Sequence, residues 1–220
     1  MALQSISTQR RRLADEVYDQ LVQAIMSRDI GPDDRLVQEK LAAELDISRT
    51  PVREALLRLE KEGVLRVANS GGFRLVKISE AETLELYQAR AAIEGQAARI
   101  LIVANDPDTL ERLRATIKRE EALENPSTQD YFTANRAIHR AFMVEAGNKF
   151  LLEMFDGIWG RAMAFHLFAA IENTDIAKSL GAHLELVDAL ATGDRGHALE
   201  AFTCHIQDGF DLHIDGIRNS

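Results

Sequence analysis

Apolar residues recur every three or four positions through most of this chain, and the breaks in that rhythm divide it into elements. Leu13, Val17, Leu21, Val22 and Ile25 form one stripe and predict a helix over about 9–28. Gly31-Pro32-Asp33-Asp34 is a turn, because proline fixes φ and glycine has no Cβ to clash. Leu41, Ala42 and Leu45 predict a second helix over about 37–45. After Asp46-Ile47, Ser48 stands as cap of a third helix with Val52, Ala55, Leu56 and Leu59 on its inner face. Pro51 falls in its first turn, where a missing N–H costs little, and Gly63 ends it. Two β-like runs, Leu65–Val67 and Phe73–Val76, flank Ala68-Asn69-Ser70-Gly71-Gly72 and predict a hairpin. Three helices and a hairpin in this order describe a winged helix-turn-helix.

From Ser79 onward only the helical period remains. Ser79-Glu80-Ala81-Glu82 has the form of a capping box, so the boundary lies just before it, with domains at 1–78 and 79–220. Leu84, Leu86, Tyr87, Ala91, Ile93 and Ala97 belong to a helix ending near Ala104. Asp106-Pro107 opens a second, running to about Leu123. Further helices are expected over about 128–146, 149–170, 175–191 and 195–215. The fold class is therefore mainly α, a winged helix-turn-helix joined to an all-α antiparallel six-helix bundle with room for an internal site.

The third helix has a basic front. Arg49 and Arg53 lie one turn apart at its exposed start, and an arginine fork matches guanine O6 and N7. Thr50 is placed for a phosphate or a thymine methyl, and Ser48 with the helix-start N–H groups for phosphate. In the wing, Gly71 and Gly72 allow backbone to approach a minor groove, with Asn69 and Arg74 beside them. The net charge of −9 argues against a nucleic-acid partner only until it is divided. Residues 1–78 hold 13 Lys and Arg against 12 Asp and Glu, and residues 79–220 hold 13 against 23. The acidity belongs to the helical half, which phosphate would repel.

That half carries a second constellation. Asn135 and His139 are four apart on one helix face, and His183 and His205 stand on later helices. All three histidines sit among apolar residues, and with an oxygen donor one turn away they form a metal-site pattern. Cys204 is alone, so no intramolecular disulfide exists, and no apolar run approaches a membrane span of roughly 20 residues. No secretory signal follows Arg10–Arg12. A cytoplasmic protein without a membrane partner is expected.

Residues 13–76 resemble the DNA-binding domain of GntR-type bacterial transcription regulators. The resemblance is carried by Leu36, the helix Glu39–Leu45, SRTPVREALLRLEKEGVL at 48–65 and the Gly-Gly wing. It implies a homodimer on a short palindromic operator in double-stranded DNA, with Arg49 and Arg53 reading bases. Some relatives have an arginine near the start of the second helix where this chain has Glu39, which implies that a basic group facing DNA is missing there or is supplied by Arg35 or Lys40. The helical half, with HRAFMVEAGN at 139–148 and the later pair at 183 and 205, is similar to the FCD effector domain of the FadR branch in its shorter VanR-like form. That similarity implies a divalent metal, zinc first and nickel, iron or manganese as alternatives, on Asn135, His139, His183 and His205. The family's Asp falls at Asn135, which brings an oxygen but no charge. Open positions on the metal suit a small carboxylate effector, with Arg90, Arg140 and Arg161 as its pairing groups. The other reading of Arg90 is a salt bridge to Glu94 at i+4.

The function expected is a ligand-responsive transcriptional regulator, a repressor by type, and not an enzyme. A DNA-binding architectural protein with a purely dimerising bundle and a metal-dependent hydrolase are the alternatives. No acid or base stands out beside the histidines, since Glu145 and Glu185 fall on other helix faces.

Overall fold

The computed structural model describes residues 8–69, 71–77, 79–159, 168 and 176–219. The chain divides into two compact units, Met1–Lys77 and Ile78–Ser220.

In the first unit, α1 (Thr8–Met26) and α2 (Gln38–Glu44) both pack on α3 (Arg49–Lys61). Pro51, Val52, Ala55, Leu56 and Leu59 of α3 are buried. They meet the α1 stripe Val17, Tyr18, Leu21, Val22 and Ile25, which keeps the apolar period of both helices in one core. Tyr18 donates to Glu62 Oε2 at 2.6 Å, and the Arg58 guanidinium lies 3.7 Å above the Tyr18 ring. α3 ends in a Schellman turn: Val64 N–H bonds Leu59 O, Gly63 N–H bonds Glu60 O, and Gly63 takes φ +81. One expectation fails at the other end. Ser48 has the extended backbone of an N-cap (φ −68, ψ 156), but its hydroxyl makes no capping hydrogen bond.

The wing pairs β1 (Leu65–Val67) with β2 (Phe73–Leu75), antiparallel, with Leu65 opposite Leu75 and Val67 opposite Phe73. Leu36 joins as a third edge, exchanging two 2.8 Å backbone bonds with Phe73. This approach explains Gly72. Its φ is +75, and a Cβ there would stand 2.6 Å from Leu36 O.

In the second unit the described helices are α4 (Glu80–Ala104), α5 (Pro107–Glu121), α6 (Thr128–Glu145), α7 (Lys149–Trp159), α8 (Ile176–Gly181), α9 (His183–Ala191) and α10 (Arg195–Asn219). Local signals place the starts. Ser79–Glu82 and Ser127–Asp130 are complete capping boxes, and Asp106 caps α5 ahead of Pro107. Trp159, Phe132, Phe155, Ile138, Met143 and Leu113 fill the core. Two expectations change. The helix expected over 175–191 is broken at Ala182, where Leu180 O takes the His183 ring nitrogen at 2.8 Å and Glu185 N–H reaches Ala182 O in a tightened turn. In α4 the inward line runs Thr83, Tyr87, Arg90, Glu94, Ala97, Leu101, while Leu84 is 45% exposed and Ala91 lies outside. A buried ion pair thus occupies the middle of the stripe that packs along α10.

Candidate metal centre and nucleic-acid interface

Each unit holds one candidate site. On the first, Ser48, Arg49, Thr50 and Arg53 are exposed at the start of α3. Gln38 Nε2 donates to Arg49 O at 3.1 Å, which ties the start of α2 to that of α3. Glu39 faces Arg49, whose Nη1 lies 3.3 Å from Glu39 Oε1. Both side chains are more than half exposed, so the pair adds little stability; it sets where the arginine fork rests. Arg35 donates its Nε to Gly71 O at 2.7 Å and so holds the wing tip, with Asn69 exposed on the same hairpin.

On the second unit the three histidines converge. His183 Nε2 and His205 Nε2 stand 3.1 and 3.4 Å from His139 Nε2. One ligand atom from each of the three falls within 4.8 Å of the others. α6 supplies His139, the first turn of α9 supplies His183 and mid-α10 supplies His205. The tautomers follow from their partners. His139 Nδ1 lies 2.6 Å from the Glu94 carboxylate and Arg90 Nη2 lies 3.4 Å from its Nε2, so Nδ1 carries the proton and Nε2 the lone pair. His183 Nδ1 faces Leu180 O, so its Nε2 is also a lone pair. Two lone pairs 3.1 Å apart repel unless a cation lies between them. Donors bound at about 2.0–2.1 Å to one ion stand about 3 Å apart, which is the spacing found.

The electrostatics agree. Burial pushes the Glu94 carboxyl up, but Arg90 and His139 beside it outweigh burial and hold it well below the usual carboxylate range. Burial lowers His139, with Glu94 partly offsetting it. Burial and the other two rings lower His183, and burial with His139 brings His205 down to about 3. All three rings are neutral at pH 7, as metal coordination requires. Asn135 Oδ1, one turn before His139, is buried with no hydrogen-bond partner among the described residues. These groups line a cavity of about 450 Å³ together with Tyr87, Arg90, Tyr131, Lys178, Asp208 and His213. The residues present fit a divalent ion: two imidazole lone pairs, a third neutral imidazole, an orphaned amide oxygen, and a carboxylate and a carbonyl orienting two of the rings from behind.

Residues 85–208 match the FCD domain family, and residues 13–75 match the family described as bacterial regulatory proteins, gntR family. The chain belongs to the GntR family, with an FCD domain. This GntR-family chain is 30% identical over 200 residues to the probable D-xylose utilization operon transcriptional repressor of Paenarthrobacter nicotinovorans, covering 90% of this chain and 87% of that protein. It is 27% identical over 203 residues to an HTH-type transcriptional regulator in an unstable DNA locus of Streptomyces ambofaciens, covering 92% and 85%. In fold it is similar to the solved structure of E. coli McbR/YncC, with TM-score 0.67 and 23% identity over 96% of this chain and 99% of that one. The GntR-family chain is a DNA-binding transcriptional regulator. Its named relatives are regulators rather than enzymes, which sets the hydrolase reading aside.

The expected effector arginines separate. Arg90 lines the cavity, yet its Nε donates to Glu94 Oε1 at 2.9 Å and its guanidinium lies 4.6–4.7 Å from the Trp159 and Tyr87 ring centres. The salt bridge to Glu94 is therefore present, and Arg90 also lines the cavity. Arg140 is not among the cavity-lining residues: Asp156 on α7 takes it in a two-pronged pair at 2.9 and 3.0 Å, so it does not serve the site as expected. Arg161 lies outside the described residues. Sequence patterning does not point to Glu94, Tyr87 or His213 as members of the site. Glu94 stands beside His139, contrary to the expectation that no acid does. The signal that marks it in the sequence is its place four after Arg90 on an inward stripe.

Proposed function

We propose that this regulator is a homodimeric, metal-dependent repressor whose DNA binding responds to a small carboxylate. Asn135, His139, His183 and His205 would hold a divalent ion, zinc first. The observation that carries this is the pair of imidazole lone pairs at 3.1 Å beside an orphaned amide oxygen. When bound, the ion would supply a Lewis acid for a carboxylate, and Arg90 adds a positive edge to the cavity that would receive it. A bundle that only dimerised would have no use for converging lone pairs. Arg49, Arg53 and Thr50 read the operator, with Ser48, Arg35 and the wing residues Asn69, Gly71 and Gly72 at the backbone.

α4 offers the link between the two sites. It begins three residues after Lys77 and carries Tyr87, Arg90 and Glu94 into the cavity region. An effector that binds one setting of α4 better than another shifts the dimer toward that setting, by no more than its difference in affinity. The repressor sense is supported by the P. nicotinovorans relative, which bears that description.

The test uses full-length protein. Elemental analysis should find about one metal per chain, absent in His183→Ala. Duplexes selected from a random pool should be palindromic, and small carboxylates should alter their retention in gel shifts only when metal is present. Metal-free protein that still responds to the same acid would defeat the proposal.

A further inference from the structure

Among the described residues, the formal charges around the cavity nearly cancel. Arg90 is matched by Glu94 at 2.9 Å, and Lys178 and Asp208 contribute one charge of each sign to the lining. His213 is neutral: its Nδ1 lies 2.6 Å from Gly209 O, which only accepts, so Nδ1 holds the proton and also serves Tyr87 Oη at 2.7 Å. Burial draws its pKa down to about 4. The donor set is neutral as well, because imidazole binds metal as the uncharged ring and Asn135 offers an amide oxygen. A divalent ion held there keeps both of its charges unmatched by the described lining residues. In a cavity of this kind the ion is the largest local charge, and leaving it uncompensated is costly.

We propose that the site takes a small dianion, a dicarboxylate, and that Asn135 sets this preference by leaving the metal at its full charge. The inference rests on the metal-and-carboxylate reading above. An aspartate at 135 would cancel one charge and suit a singly charged acid instead. It would also hold the metal more tightly, so the two effects of one substitution run in opposite directions. A purely structural role for Asn135 predicts no such opposition.

The experiment is calorimetry on zinc-loaded, full-length protein with malonate, succinate and glutarate, each against its own monoamide. The monoamide keeps the shape and removes one charge. In the parent protein at least one diacid should bind ten-fold or more tighter than its monoamide. Asn135→Asp should bind zinc more tightly and lose at least ten-fold of that preference, because a unit charge about 5 Å away at an effective dielectric near 20 is worth well over a factor of ten. Asn135→Ala should bind zinc more weakly and keep the preference, since the charge is unchanged. Equal binding of diacid and monoamide, or an unmoved ratio in Asn135→Asp, overturns this inference while leaving the carboxylate reading intact. If no acid of either kind binds the zinc-loaded protein, the carboxylate reading falls and this inference with it.

Discussion

Glu94→Gln tests the centre through a residue that would not touch the metal. The carboxylate is 3% exposed and serves two groups, accepting from Arg90 Nε at 2.9 Å and from His139 Nδ1 at 2.6 Å. Glutamine keeps the size but has one acceptor. Its amide N–H₂ must face either the guanidinium or the imidazole N–H, donor against donor. Two losses follow. Arg90 becomes a buried cation without its counter-charge, which costs about 3–5 kcal/mol of stability. His139 loses the group that fixes its tautomer and raises its basicity, which lowers metal affinity about 10- to 100-fold.

Trp159, the single tryptophan, provides the assay, since its ring stacks on His139 at 5.6 Å and 29°. Zinc titrations followed by its fluorescence should shift to higher concentration in Glu94→Gln, and chemical denaturation should show the stability loss. The double variant Arg90→Met, Glu94→Leu, which removes the arginine and leaves His139 Nδ1 without the acceptor at 94, separates the two. It removes the stranded charge, so stability should recover substantially, while zinc affinity should stay low because His139 is still unsupported. Unchanged zinc affinity in the single variant would refute the orienting role. Recovery of zinc affinity in the double variant would show that the stranded arginine, and not the histidine's missing partner, was responsible.

Other outcomes follow from the same geometry. Arg49→Ala and Arg53→Ala should each cost about 1–3 kcal/mol of operator binding, with the preference lost at one base position per variant in a selection on random duplexes. Gly72→Ala places a Cβ 2.6 Å from Leu36 O at φ +75, so it should destabilise the first unit by about 1–3 kcal/mol in a denaturant series; a neutral result would mean that Leu36 is not held against the wing. His213 takes up a proton near 6.5 when unfolded but only near 4 in the fold. The unfolded chain therefore binds more protons between those values, and stability should fall as pH drops through that window, by up to about 3 kcal/mol. His213→Leu should flatten this part of the pH profile relative to the parent, and parallel profiles would contradict the buried, neutral assignment.

What could be read from the sequence was what neighbours along the chain decide. Ser79–Glu82, Asp106-Pro107 and the Gly63 turn are local rules, and the helix starts and the α3 stop fall where those rules place them. The histidines stood out because imidazoles among apolar residues are conspicuous. Their surroundings did not, because each deciding group comes from another element: Glu94 reaches His139 from α4, and Asp156, on α7, draws Arg140 away. The same cause hid Leu36 as the third edge of the wing. α4 shows the deeper reason. Periodicity arguments weigh only apolar residues, so Leu84 and Ala91 seemed to belong with the core, although the true inward line carries Arg90 and Glu94 at its centre. Burying a charged pair is expensive, and in α4 the charges also orient a histidine and edge a cavity. The positions where hydrophobic patterning misreads this helix are therefore the positions that build the site.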